Sequence, residues 1–121
     1  MSYMLLVLQT PFINSTLTPD QGRHRYKIMK DYAKDLAERG ILTAGEALGS
    51  ETKSARLGKG TGSQTVLDGP FIEAKEIIGG FFMLNVPTRE EAIEIAKACP
   101  ATQWATMEVR EVGPCWDEFR S

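Results

Sequence analysis

The chain has one histidine, His24, and two cysteines, Cys99 and Cys115, which belong to no CxxC pair. Only carboxylates remain as further ligands, so no metal site is expected. A chain of 121 residues can build a core without covalent staples, and both thiols are expected to be free. Cys99 closes an apolar helical pattern and should be buried, while Cys115, beside Gly113-Pro114, should be more exposed. Long apolar runs are missing too. The longest, Met4 to Leu8, falls far short of the ~20 residues that span a bilayer, and it lacks the basic start and small-residue cleavage site of a secretory leader. No membrane partner is expected, and the expected location is the cytoplasm. No single sign of charge dominates: 14 basic and 16 acidic side chains give a net charge of -2, with no broad positive field to hold a phosphate backbone. Nucleic acid is therefore not an expected partner. Nucleophile elbows, phosphate loops and dinucleotide fingerprints are absent, and Gly58-Lys59-Gly60-Thr61-Gly62 lacks the helix that a phosphate cradle requires. Redox and nucleotide cofactors are not implied. With no low-complexity segment and no repeat longer than one βα unit, residues 1–121 are expected to form one domain.

What is present is a regular alternation of strand and helix signals. Tyr3 to Gln9 is apolar without polar alternation, as in a strand covered on both faces. Thr18-Pro19-Asp20-Gln21 reads as a helix start, with Thr18 as N-cap, Pro19 at the first helical position and Gln21 closing a capping box. The helix should run to Arg39, bury a stripe of Ile28, Met29, Tyr32, Ala33 and Leu36, and end at a left-handed Gly40. Ile41 to Leu48 reads as a second strand, and Ser54 to Leu57 with Gln64 to Leu67 as an inserted hairpin. Ile78 to Val86 is apolar on both alternating sets, with Gly79 and Gly80 leaving room for close approach to the backbone. Thr88 to Glu91 starts a second helix with Ala92, Ile93, Ala96 and Cys99 on its buried side, stopped by Pro100. Ala105 to Val112 alternates as a one-sided edge strand does.

This order, strand, helix, strand, hairpin, strand, helix, strand, is the ferredoxin-like plan of an α+β protein. That plan puts the first and third core strands in the middle of the sheet, where the two-sided apolar patterns lie. Two helices cover one face of such a sheet, so the apolar residues of the other face require a cover. A second copy of the chain, paired two-fold as a homodimer, is the simplest one and would leave a cavity between sheet and loops.

Several residues are candidates for chemistry. Asp68-Gly69-Pro70-Phe71, followed by Glu73, Lys75 and Glu76, sets charge directly against the apolar strand that begins after it. The same stretch also reads as an ordinary turn with solvated charges. His24 lies one turn into the first helix, four residues after Asp20, and is a candidate acid or base or else a half-buried surface histidine. Arg25 projects toward the side of Ile28 and Tyr32, and a cation in the first helical turn is favourable only beside an anion, such as Glu46 or a bound carboxylate.

Val66 to Leu84 resembles the signature of the DGPF branch of the YCII-related family, with Asp68, Gly69, Pro70, Phe71, Glu73, Lys75, Glu76 and Gly80 matching nearly position for position. Gly45-Glu46 is similar to the Gly-Glu pair that follows the first helix in that family. The resemblance implies a ferredoxin-like fold paired as a dimeric α/β barrel. It also implies one of two roles. The first is a cofactor-free isomerase, lyase or dehalogenase acting on a small anionic molecule, with Asp68 or His24 as base and Lys75 or Arg25 holding the anion, and with Glu46, Phe71, Glu73 and Glu76 around the ligand. The second is a non-catalytic ligand-binding or regulatory module tied to sigma-factor signalling. A histidine paired with an aspartate is proposed for the wider family, and no motif here aligns His24 to it.

Overall fold

The computed structural model describes residues 2–58, 65–71 and 74–114. Among the described residues six strands and two α-helices follow in chain order: β1 (Ser2–Gln9), α1 (Pro19–Glu38), β2 (Leu42–Ala47), β3 (Ala55–Leu57), β4 (Val66–Asp68), β5 (Ile77–Asn85), α2 (Arg89–Lys97) and β6 (Thr106–Val112). Four strands form an antiparallel sheet in the order β2-β5-β1-β6, so the two strands with two-sided apolar patterns are the central ones. This is the α+β, ferredoxin-like arrangement. β3 and β4 pair with each other as a separate two-stranded sheet, the inserted hairpin, and Asp68 ends β4 opposite Ala55 instead of opening the turn. Residues 59–62 of the glycine-rich stretch lie outside the described residues, as do Cys115, Trp116 and Phe119.

Helix α1 forms where its caps place it. The Thr18 hydroxyl accepts from the Gln21 N–H while the Gln21 side chain accepts from the Thr18 N–H, and Pro19 fills the first helical position. Its far end closes at Gly40, whose φ of 72° suits glycine. In α2 the Thr88 hydroxyl accepts from Glu91 N–H. Its buried set is Ala92, Ile95 and Ala96, continued by Cys99; Ile93, expected there, is only half-buried.

Side chains of β1 alternate strictly, and Tyr3, Leu5 and Val7 turn toward the helices. Across the central ladder Tyr3 faces Leu84 and Leu5 faces Phe82, and this face joins Leu36 of α1 and the α2 set in one core. Tyr32 locks the two helices together: its hydroxyl donates to Ile95 O at 2.6 Å, and its ring meets Phe82 edge-on at 5.4 Å. Burial raises the proton affinity of both the Tyr32 phenol and the Cys99 thiol, which keeps each neutral in the core. The opposite face of the sheet carries Met4, Leu6 and Leu8 on β1 and Phe81 and Met83 on β5, all partly accessible in the single chain. Polar residues border this apolar centre, with Glu46 beside Phe81 on one side and Glu108 beside Leu6 on the other.

Candidate functional site

Segments far apart in sequence meet at one end of the central strands. β1 ends at Gln9 and runs on through Pro11 and Phe12, β5 begins with Ile77, Ile78 and Gly79, and the turn 48–54 after β2 approaches from the side. With Ala55, Arg56, Pro70, Phe71 and Glu76 they line a cleft of about 570 Å³. That volume suits a small-molecule ligand.

Local chemistry explains how these segments are held. Phe12 has φ 63°, a left-handed conformation that costs a non-glycine residue about 1–2 kcal/mol. Its N–H donates to Glu51 Oε2 at 3.1 Å, which fixes the Glu51 carboxylate at the cleft wall and joins the chain after β1 to the turn after β2. Ser50 caps that turn by accepting from Thr52 N–H, and Ser54 Oγ donates back to Glu51 O at 2.6 Å. Against this turn presses Gly69, whose N–H donates to Ser54 O at 2.6 Å. A Cβ on residue 69 would meet Ser54 Oγ and stand 2.9 Å from Glu51 O, so the glycine of the Asp-Gly-Pro-Phe stretch permits the contact that seats Pro70 and Phe71 in the wall. The Arg56 guanidinium then lies over the Phe71 ring at 3.9 Å.

Opposite charges therefore share the cleft with apolar side chains: Glu51, Glu76, Lys53 and Arg56 line it together with Phe12, Leu48, Phe71 and Ile78. Such a surface can stack a small ring or chain, hold an anion on Arg56 or Lys53, and exchange a proton with a carboxylate. Among the described residues no three His, Cys, Asp or Glu side chains gather as a ligand set for a metal.

Of the residues expected from sequence, Phe71 and Glu76 line the cleft. Asp68 is exposed at the end of β4, two residues from the Pro70 wall. Lys75 is exposed and not part of the wall, and Glu73 lies outside the described residues. Glu46 is exposed on β2, opposite Phe81, on the sheet face away from the helices. His24 and Arg25 stand on α1 and do not line the cleft. His24 is exposed, and the carboxylate of Asp20 is held by Arg23. Arg25 does not meet Glu46; its guanidinium lies over Trp104 at 4.5 Å, against the helix-side core, with Nη1 buried and making no hydrogen bond among the described residues.

Gln9, Glu51 and Arg56 are wall residues that sequence reasoning did not single out. Gln9 had a signal, since it shares the alternation of Tyr3, Leu5 and Val7 and is the polar member of a buried set. Glu51 and Arg56 had none short of knowing which loops meet.

The chain matches the YCII-related domain over residues 1–116. An uncharacterised protein of Rhizobium meliloti is 26% identical to it over 97 residues, 80% of this chain and 78% of that protein. Among solved structures, 5-chloro-2-hydroxyhydroquinone dehydrochlorinase from Burkholderia phenoliruptrix, in complex with 2,5-dihydroxybenzoquinone, is similar with a TM-score of 0.52 and 14% identity, covering 93% of this chain and 94% of that one. That likeness establishes the fold. Since the domain match spans nearly the whole sequence, the chain belongs to the YCII-related family.

Proposed function

We propose that this protein is a cofactor-free enzyme that performs acid–base chemistry on a small anionic molecule, that the cleft at the ends of β1 and β5 is its site, and that it works as a homodimer. The observation that carries this reading is the convergence of Phe71 and Glu76 with Arg56 and Glu51 on one cleft of mixed polar and apolar lining. Arg56, already over the Phe71 ring, would hold the anion beside a ring. Glu76 is the wall carboxylate offered as base, with Asp68 at the rim as the second candidate and Lys75 as a cation near it. A carboxylate that takes a proton from substrate carbon leaves an anion with two outcomes: reprotonation at another atom, which is isomerisation, or expulsion of a leaving group with its bonding pair, which is elimination. The similar dehydrochlorinase, solved with 2,5-dihydroxybenzoquinone, supports small-ring chemistry on this fold. The half-covered apolar face around Leu6, Phe81 and Met83 supports the homodimer, because a second copy would bury it in the manner of a dimeric α/β barrel.

The test has two arms. Titration with benzoate, followed by amide shifts, should show cleft binding that Arg56→Ala weakens about tenfold, the effect of losing one charge-assisted hydrogen bond, with a nearly unchanged melting temperature. A mixture of small organic acids, followed by mass spectrometry, should show one of them consumed by the wild-type protein. An unaltered affinity in Arg56→Ala removes the anion role, and retained binding without consumption contradicts the enzyme.

A further inference from the structure

Gln9 is only 8% exposed, it lines the cleft, and its side-chain amide makes no hydrogen bond within the described residues. Its amide atoms keep some contact with solvent at the cleft, and a ligand that covers them without pairing them removes that hydration for no return. The backbone around it is shaped to accommodate that amide. The ladder between β1 and β5 shifts register at Val7/Leu8, where Val7 pairs with Gly80 and Leu8 with Ile78, so that Gly79 is the extra residue of a bulge. A Cβ on residue 79 would stand 2.6 Å from Gln9 Cδ and 3.0 Å from Nε2. The Gly79 carbonyl is taken by Leu48 N–H at 2.9 Å, and Gln9, Leu48 and Gly79 all line the cleft.

We infer that Gln9 is a specificity-determining residue of this cleft, recognising a neutral oxygen, hydroxyl or carbonyl, on the ligand. The inference rests on the cleft being the binding site proposed above. A primary amide offers both donors and an acceptor, so a hydroxyl satisfies it as donor or acceptor and a carbonyl as acceptor. Arg56 takes the anionic group and Phe71 and Phe12 flank the apolar body. The ligand class is thus a small ring that carries an anion at one position and a neutral oxygen at another. A site built to hydrogen-bond an oxygen discriminates strongly against an analogue of equal shape without it, because the amide that the analogue covers then stays unpaired.

The experiment compares benzoates that carry hydroxyl or methyl at the 3- or 4-position, groups of similar size, by amide-shift titration of the full chain. Wild-type protein should bind the hydroxyl member of at least one pair about tenfold more tightly than its methyl twin, both shifting cleft amides. Gln9→Met should bring that ratio close to one while methyl affinity is kept. Gly79→Ala should do the same with Gln9 intact, because the new Cβ displaces the amide. If both twins bind in the cleft equally, or if the ratio survives in Gln9→Met, the role of Gln9 is overturned and the cleft stands. If no benzoate shifts any cleft amide, the cleft itself is not the site and the inference falls with it.

Discussion

Leu84→Ala is expected to lower the free energy of unfolding by about 2–5 kcal/mol, read as a fall in the urea midpoint at unchanged slope. Leu84 is 0% exposed, lies on central strand β5, faces Tyr3 on one side and Leu42 on the other, and belongs to the core that both helices cover. Truncation removes its transfer free energy and leaves a void that two helices and three strands cannot close together. Leu57→Ala is the internal control. That side chain is 63% exposed on the small hairpin, and its loss should change stability by less than about 0.5 kcal/mol. Equal costs at the two positions would mean that the core is not where β1, β5 and the helices place it.

Much of this architecture was legible in the sequence because its signals are local. Thr18, Pro19 and Gln21 satisfy orphan N–H groups at the helix start, and no distant residue is needed to know it. Two-sided apolar patterns marked β1 and β5 as central, as the strand order shows. The Ile93 assignment missed through a finer point of geometry. At 100° per residue Ala92, Ala96 and Cys99 define a direction from which Ile95 departs by about 67° and Ile93 by about 93°, so the sheet takes Ile95.

Leu6→Lys is expected to weaken self-association by about 100-fold or more, read by sedimentation equilibrium, while leaving the monomer folded. Leu6 lies on the sheet face away from the helices, opposite Phe81 on β5 and Glu108 on β6. In a lone chain the new ammonium stands across from the Glu108 carboxylate, a cross-strand pairing that a sheet tolerates. Between two sheets the same charge must be stripped of water at the centre of an apolar contact, where losses are largest. Wild-type protein should sediment as a dimer; a monomeric wild type at tens of micromolar, or a variant as tightly paired as the parent, would refute the homodimer.

The candidate site was less legible than the fold. The Asp68 to Glu76 stretch stood out by composition, and three of its residues, Pro70, Phe71 and Glu76, line the cleft. Arg25 and His24 stood out only as charges early in a helix, where local pattern cannot tell whether the ring of a distant Trp104 awaits the guanidinium. Glu51 and Arg56 became visible only through contacts that span the fold: a hydrogen bond from Phe12, thirty-nine positions earlier, and the stacking of Arg56 on Phe71. Such residues carry no periodicity, because their positions follow from where strand ends deliver loops. Gln9 is the exception, a polar residue at the buried parity of a strand.

The most direct test of the cleft is a crystal structure of the wild-type protein soaked with 4-hydroxybenzoate. The account predicts the ring beside Phe71, its carboxylate on Arg56 and its hydroxyl at Gln9. Density instead in the groove formed by Arg39, Ile41, Val86 and Glu94, or beside His24 on α1, with the cleft empty, would contradict it.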